Sequence, residues 1–238
     1  MILSNIIGSG FIAKSFKKKN NFFKKKKCIL YAAGVSNSNN RNSKLFLKDF
    51  SRLKKTEKLS KNFKIIYISS CSIIDPARKN SMYLKKKIKN EELIKKKFKN
   101  YLIIRLPEII GKNKNKNTLV NFLYYKILNN KKFDLLKNEK INFIEINDIV
   151  NILIELIETK INKRTINIAS DKMTNVTKIV KILENVFKKK AISVIKNKKF
   201  DNFRIDVKYI KNLKSYKKIK FNERYLINSI IKYKNGNI

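Results

Sequence analysis

The stretch Ile6-Ile7-Gly8-Ser9-Gly10-Phe11-Ile12-Ala13 decides how this chain reads. Two apolar residues, preceded by Met1-Ile2-Leu3, run into Gly-x-Gly-x-x-Ala and on into Lys14-Ser15-Phe16. That order spells a buried strand, a tight turn and the opening of a helix. The chain has only 5 glycines, and two of them stand in this turn. Gly8 suits the sharp bend. Gly10, with no side chain, lets a pyrophosphate approach the backbone and the helix N-terminus, whose free N–H groups favour anions. Ala13 is small enough for the helix to lie close on the strand. The motif points to a dinucleotide site.

Apolar runs and breakers continue the alternation outward from this turn. Cys28-Ile29-Leu30-Tyr31-Ala32-Ala33-Gly34 reads as a short strand ending in small residues, followed by polar Ser36 to Asn42 and a helix through Leu45, Phe46, Phe50 and Leu53. Phe63 to Ser70 is the next strand, Ser81 to Phe98 a helix, and Tyr101 to Leu106 a strand closed by Pro107. Further on come a helix from Thr118 to Leu128, a strand from Ile141 to Ile146 and an amphipathic helix from Asp148 to Ile157. Thr165 to Ala169 reads as a strand and Val176 to Phe187 as a helix. The tail holds short strands from Ile192 and around Phe203 to Asp206, with helical pieces. Strands alternating with helices give a parallel sheet covered on both faces. The expected architecture is one α/β domain over 1–238, a shortened Rossmann-like doubly wound parallel sheet. A small C-terminal substrate lobe is expected from about 113–140 and 172–238.

The charge is extreme: 58 Lys+Arg against 17 Asp+Glu, a net +41 in 238 residues. Binding to nucleic acid is the obvious reading of such an excess. The excess is nearly all Lys, however, with only seven Arg, and it accompanies abundant Asn, Ile, Phe and Tyr. These residues share codons rich in A and T, so mutational bias accounts for the composition without a nucleic-acid partner. Arg, which reads bases and phosphates bidentately, is the cation in short supply. Salt-sensitive, nonspecific adhesion to polyanions follows from net charge alone. Cys28 and Cys71 both lie in apolar surroundings and suggest a reducing compartment. With no His and no clustered Cys, a zinc site or a His-based triad is excluded as an expectation. The chain shows neither a secretory signal nor an apolar run of the roughly 18 residues that a membrane span needs. The expected location is the cytoplasm.

Lys64-Ile65-Ile66-Tyr67-Ile68-Ser69-Ser70-Cys71-Ser72 places hydroxyls at a strand's end, where open α/β sheets bind ligands. Thirteen residues after Ser70, Tyr83 and Lys87 stand four apart on one helix face. A free phenol titrates near 10, too high for a proton shuttle at neutral pH, and a neighbouring ammonium favours its ionised form. Among ten tyrosines in so lysine-rich a chain, roughly two such pairs are expected by chance. The other is Tyr216 and Lys220, in the basic tail with no hydroxyl-bearing strand before it. Position singles out Tyr83 and Lys87.

Taken in order, these segments resemble the extended short-chain dehydrogenase/reductase family, in particular its NAD-dependent epimerase/dehydratase branch acting on nucleotide sugars. Gly8 to Ala13 resembles the family's cofactor loop, and Tyr31-Ala32-Ala33-Gly34 the strand beside the cofactor. Tyr67-Ile68-Ser69-Ser70 is similar to the strand bearing the catalytic Ser or Thr, and Tyr83 with Lys87 to the catalytic pair. Arg105-Leu106-Pro107-Glu108-Ile109-Ile110-Gly111 is similar to the family's Arg-Pro-x-x-hydrophobic-Tyr-Gly segment. Phe143 to Val150, Thr165 to Ala169 and Asp206-Val207-Lys208 echo later segments. The resemblance implies Ser70, Tyr83 and Lys87 as catalytic residues and NAD or NADP as cofactor. It implies Gly8, Gly10, Phe11, Ile12, Ala13, Ala32, Ala33, Gly34, Tyr83, Lys87 and Pro107 at the cofactor. Ser70, Cys71, Glu108, Asn121 and Arg204 are implied at a nucleotide-sugar substrate. It implies no specific nucleic-acid partner, and a homodimer as one assembly the chain could form.

The departures from the family pattern are equally specific. Gly10 and Tyr31 are only 21 residues apart, with no acidic residue between them, so a strand–helix unit and the usual ribose-binding carboxylate are missing. The spacing from Ser70 to Tyr83 is short for the family. Cys71 and Ser72 stand where sugar dehydratases carry acids, which argues against dehydration, and Glu108 stands where an Asn is frequent. Three functions remain on the sequence: an epimerase or reductase of a nucleotide-linked sugar, serving surface polysaccharide synthesis; a non-catalytic dinucleotide-binding relative; and a basic nucleic-acid-binding module.

Overall fold

The computed structural model describes residues 4–59, 61–76, 80–113, 115, 118–197 and 203–234; Met1 to Leu3 lie outside them. Strand β1 (Ile6–Ile7) is followed by α1 (Phe11–Phe16), a 3-10 turn at Lys17–Lys19 and α2 (Asn20–Lys25). Then come β2 (Cys28–Tyr31), α3 (Ser43–Leu59), β3 (Lys64–Ser70), α4 (Met82–Lys97), β4 (Tyr101–Leu106) and β5 (Glu108–Ile110). The chain continues with α5 (Leu119–Leu128), β6 (Phe133–Leu136), β7 (Lys140–Ile141), β8 (Phe143–Glu145), α6 (Ile146–Glu158) and β9 (Arg164–Asn167). It ends with β10 (Thr174–Asn175), α7 (Val176–Phe187), β11 (Ser193–Lys196), α8 (Lys214–Lys217) and α9 (Glu223–Lys234).

The main sheet has five parallel strands in the order β1-β2-β3-β4-β9. Its interior strands read as continuous apolar runs because both faces are covered. Phe16, Phe23 and the apolar stripe of α6 cover Cys28, Leu30, Ile66, Ile68, Leu102 and Ile104 on one face. Leu53 of α3 and Ile94 of α4 cover Ile29, Tyr31, Ile65, Tyr67 and Ile103 on the other. The fold is a Rossmann-like, doubly wound parallel sheet, shortened at one edge.

The shortening has a topological signature. From β1 to β4 each step moves the same way across the sheet, yet the first passes over the α1–α2 face and the next two over the opposite face. The first crossover is therefore of opposite hand to the following two, whereas such connections are right-handed in about 98% of cases. A strand–helix unit removed between α2 and β2 gives this geometry, because α1 then keeps its face while the chain returns on the wrong side of β1.

A second hydrophobic cluster unites Leu123 and Ile127 of α5, Phe133 and Leu135 of β6, Ile179 and Leu183 of α7, and Leu226 and Ile230 of α9. Strand β11 extends β6 in parallel beside it. The segment around Phe203 to Asp206, expected as a strand, is not one. Ile205 and Val207 instead pack on the main core, as do Ile210, Leu213 and Tyr216. Residues 205–216 thus belong to the main layer rather than to the second cluster. Among the described residues no helix is long and apolar enough to cross a membrane.

Candidate active site

The C-terminal ends of β1 to β4 open into one cleft of about 1120 Å³. Ile7 leads into its glycine loop, Ala32, Ala33 and Gly34 follow β2, Ser69 and Ser70 end β3, and Leu106 and Pro107 leave β4. Open parallel sheets bind ligands at these ends because the loops there converge while the strands hold them rigid.

The two glycines of the loop do different things. Gly8 has φ +136°, and a Cβ there would sit 2.6 Å from the Ala32 carbonyl oxygen. Gly10 has extended backbone, and a Cβ would meet nothing within 4 Å. Gly8 is thus required by the turn, while the missing side chain of Gly10 leaves open space at the cleft wall. Gly34 is a second close approach: a Cβ there would be 2.9 Å from Lys87 Nζ.

Ser70, Tyr83 and Lys87 all line this cleft. Ser70 is the last residue of β3, and its Oγ accepts from the Ser72 N–H at 3.2 Å. Tyr83 stands at the start of α4 and is 8% exposed. Burial pushes its phenol up to about 12, the Ser70 hydrogen bond pulls it down, and the charges of Asp49 and Glu108 push it up. Lys87, one turn further, is buried and donates from Nζ to the Ile68 carbonyl at 3.0 Å. Its Nζ lies 5.1 Å from the ring centroid of Tyr67 and 5.8 Å from that of Tyr83. Burial lowers its affinity for a proton, and the carboxylates of Asp49 and Glu91 raise it.

These two carboxylates anchor a buried polar layer behind the cleft. Asp49 accepts from the Tyr31 hydroxyl at 2.8 Å and from Asn90 Nδ2 at 3.0 Å, and the same Asn90 nitrogen reaches the Tyr67 hydroxyl at 3.1 Å. Glu91 accepts from Ser69 at 2.6 Å and takes Arg105 bidentately at 2.9 and 2.6 Å. Sequence reading missed this layer, yet the signal was present. Asp49 interrupts the apolar stripe Phe46, Phe50, Leu53, and Glu91 extends the i, i+4 row of Tyr83 and Lys87.

The cleft gathers most of the expected residues. Gly8, Gly10, Phe11, Ile12, Ala32, Ala33, Gly34, Pro107 and Glu108 line it together with Ser70, Tyr83 and Lys87. Four others do not, each for a visible reason. Ala13 is 3% exposed and faces the core beneath α1. Cys71 is buried, with Sγ 4.0 Å from Asn167 Oδ1, and burial pushes its thiol up. Asn121 turns back to donate to Asn113 and to the Asn115 carbonyl at 3.1 Å, so it braces the cleft wall from behind. Arg204 is exposed on the segment before Ile205 and is not part of the wall. Glu108 accepts from the Leu119 N–H at 2.7 Å and so satisfies the first turn of α5. Lys14, Ser36, Ser38, Arg52 and Lys112 also line the cleft and were not singled out by the sequence. Tyr216 sits in the main core beside Phe221, its ring centroid 5.5 Å from that ring.

No protein-family model matches the chain, and no curated protein matches it in sequence. Solved structures do match. The UDP-glucose 4-epimerase of Thermus thermophilus in complex with NAD superposes with a TM-score of 0.73 at 9% identity, over 95% of this chain and 82% of that one. The UDP-glucuronic acid 4-epimerase of Bacillus cereus, in complex with UDP-glucuronic acid and NAD, gives 0.67 at 18% identity, over 87% and 72%. RMD from Pseudomonas aeruginosa, complexed with NADPH, gives 0.68 at 13% identity, over 87% and 80%. The fold is theirs. At such identities the likeness extends to the fold and the order of its segments; the chemistry must come from the residues in the cleft.

Proposed function

We propose that the protein is an NAD(P)-dependent epimerase or oxidoreductase of a nucleotide-linked sugar, serving surface polysaccharide synthesis. The observation that carries this reading is the convergence of a glycine loop with Ser70, Tyr83 and Lys87 on a single cleft. The loop suits a pyrophosphate on its own geometry. Gly10 leaves space that any side chain would fill, and the first turn of α1 has no side-chain cap on its N–H groups. Gly8, Gly10, Phe11 and Ile12 would hold the diphosphate, and Ala33, Gly34 and Lys87 the nicotinamide half. A bound nicotinamide dinucleotide supplies the taking and returning of a hydride.

The protein's own groups supply the proton. With a phenol held near 12, Tyr83 is protonated at neutral pH and is poised to donate to a substrate carbonyl oxygen as it becomes a hydroxyl. Ser70, its oxygen already accepting from Ser72, has one O–H to give and directs it to the phenolate left behind, which it steadies. Burial disfavours the charged form of Lys87 and the carboxylates of Asp49 and Glu91 favour it; when protonated it adds a positive field from within the wall. In the opposite direction the phenolate takes the proton back from the substrate hydroxyl.

The test is a screen of nucleotide sugars, read by the absorbance of the reduced cofactor, with Tyr83→Phe and Tyr216→Phe beside the parent. Tyr83→Phe should lower turnover by about 10²–10⁴-fold, the scale of general acid–base catalysis. Tyr216→Phe should leave it within a few fold, since that ring lies in the core. Dinucleotide binding without turnover on any nucleotide sugar would replace this reading with that of a non-catalytic binder, which the shortened sheet would suit.

A further inference from the structure

The cleft lacks one feature that a dinucleotide with an unmodified adenosine ribose ordinarily meets: a carboxylate for the ribose diol. Among the described lining residues Glu108 is the only carboxylate, and it is tied to α5. The cleft lining includes instead the cations Lys14 and Arg52 and the hydroxyls of Ser36 and Ser38. Arg52 is half-buried on α3, and its Nη1 donates to the Ala33 carbonyl at 3.3 Å. This fixes the guanidinium beside the Gly8 turn, since a Cβ on Gly8 would touch Ala32. That bond uses one of five N–H donors. The nearest acid on the same helix, Asp49, directs its carboxylate to Tyr31 and Asn90 in the buried layer and is not part of the cleft wall. In a chain whose positive charge is mostly lysine, one of only seven arginines is hydrogen-bonded at this wall.

Resting on the dinucleotide reading above, we propose that Arg52, with Lys14, Ser36 and Ser38, selects a dinucleotide that carries a phosphate on its adenosine ribose. Loss of the strand beyond β1 removes the place from which a carboxylate would come, while Arg52 is held from α3 at the end of β2. A guanidinium forms paired, charge-assisted bonds to a phosphate dianion, while the two serines add hydroxyl donors. Against an unphosphorylated ribose diol the same groups find no negative charge to pair with.

The experiment is fluorescence titration of NADPH and NADH into the parent, Arg52→Gln and Arg52→Lys at fixed salt, with urea unfolding of each variant as the check on folding. The parent should bind NADPH at least about tenfold tighter than NADH. Arg52→Gln should weaken NADPH by about tenfold and leave NADH within about threefold, with Arg52→Lys intermediate because it keeps the charge but not the fork. Equal affinities in the parent, or an equal loss of both dinucleotides in Arg52→Gln, would overturn the proposal; the second outcome would mean that Arg52 meets the shared pyrophosphate. Binding of neither dinucleotide to the folded parent would overturn the dinucleotide reading itself and this proposal with it, so the two failures are separable. If Arg52→Gln fails to fold, the parent preference and the Arg52→Lys ratio decide.

Discussion

Replacing each glycine of the loop by alanine should move stability in opposite directions. At Gly8 the backbone has φ +136°, a conformation nearly reserved for glycine, and an added Cβ would lie 2.6 Å from Ala32 O, 2.7 Å from Ala32 C and 3.0 Å from Ala33 N. Those are backbone atoms of a strand end, so no flexible side chain can give way. Holding a residue in such a region costs about 1–3 kcal/mol, and forcing an extra methyl into packed structure about 1–3 kcal/mol more. Gly8→Ala should therefore destabilise by about 2–6 kcal/mol. At about 2–4 °C per kcal/mol for a chain of this size, Tm should fall by roughly 4–24 °C. Gly10 has φ −76° and open space around its Cβ position. Gly10→Ala should be neutral or raise stability by about 0.4–1 kcal/mol, because it only restricts the unfolded chain. Thermal and urea unfolding of both variants without ligand would show this. A Gly8→Ala protein as stable as the parent, or Gly10→Ala as damaging as Gly8→Ala, would refute the division of labour in the loop.

Alkaline titration of the phenols should show Tyr83 ionising near 12, well above exposed tyrosines near 10. The difference between the absorbance titrations of parent and Tyr83→Phe isolates it, and Ser70→Ala should raise it further because the Ser70 hydrogen bond is what lowers it. Because the folded state holds this proton more tightly than the unfolded one, stability should decline as pH rises from about 10 toward 12, and less so in Tyr83→Phe. Arg105→Met would strand Glu91, 2% exposed, without its bidentate partner; a loss of about 3–5 kcal/mol in urea unfolding is expected, with Glu91→Gln in the same chain recovering part of it. Tyr225→Phe removes bonds to Asp148 at 2.7 Å and to the Glu145 N–H at 2.9 Å, which pin α9 to α6; about 1–3 kcal/mol should be lost. Changing Lys17, Lys18 and Lys19 to Gln should leave turnover intact at physiological salt while weakening retention on a polyanion column, and parallel loss of both would favour a nucleic-acid role.

The main sheet was legible because its strands are near-continuous apolar runs bounded by breakers, a pattern that the lysine excess cannot blur. Strands β2, β3 and β4 and helices α4, α5 and α7 lie within a few residues of where those runs place them. The gap between Gly10 and Tyr31 was legible as a missing unit, whereas the reversed hand of the first crossover needs the faces of α1 and α3 and is invisible in one dimension. Phe203 to Asp206 misled because alternating apolar residues serve equally well to dock an irregular segment on a core. Ser70, Tyr83 and Lys87 were legible from position, since a strand end and the first turns of the next helix must meet at the same sheet edge. Cys71 was not, because the chain turns at Ser70 and drives the next side chain inward toward Asn167. Arg52 was hidden because its distance from Ala33 in sequence says nothing of the guanidinium returning to that carbonyl.

The central claim is that the glycine loop opens a dinucleotide site, and Gly10→Val tests it most directly. A branched side chain at Gly10 would project into the space that no protein atom occupies within 4 Å of the Cβ position. Titration of NADPH and NADH into the folded parent should give saturable binding, and Gly10→Val should weaken it by at least tenfold, about 1.4 kcal/mol, with its urea midpoint unchanged. Equal affinity in the folded variant, or no binding of either dinucleotide to the parent, would contradict the account.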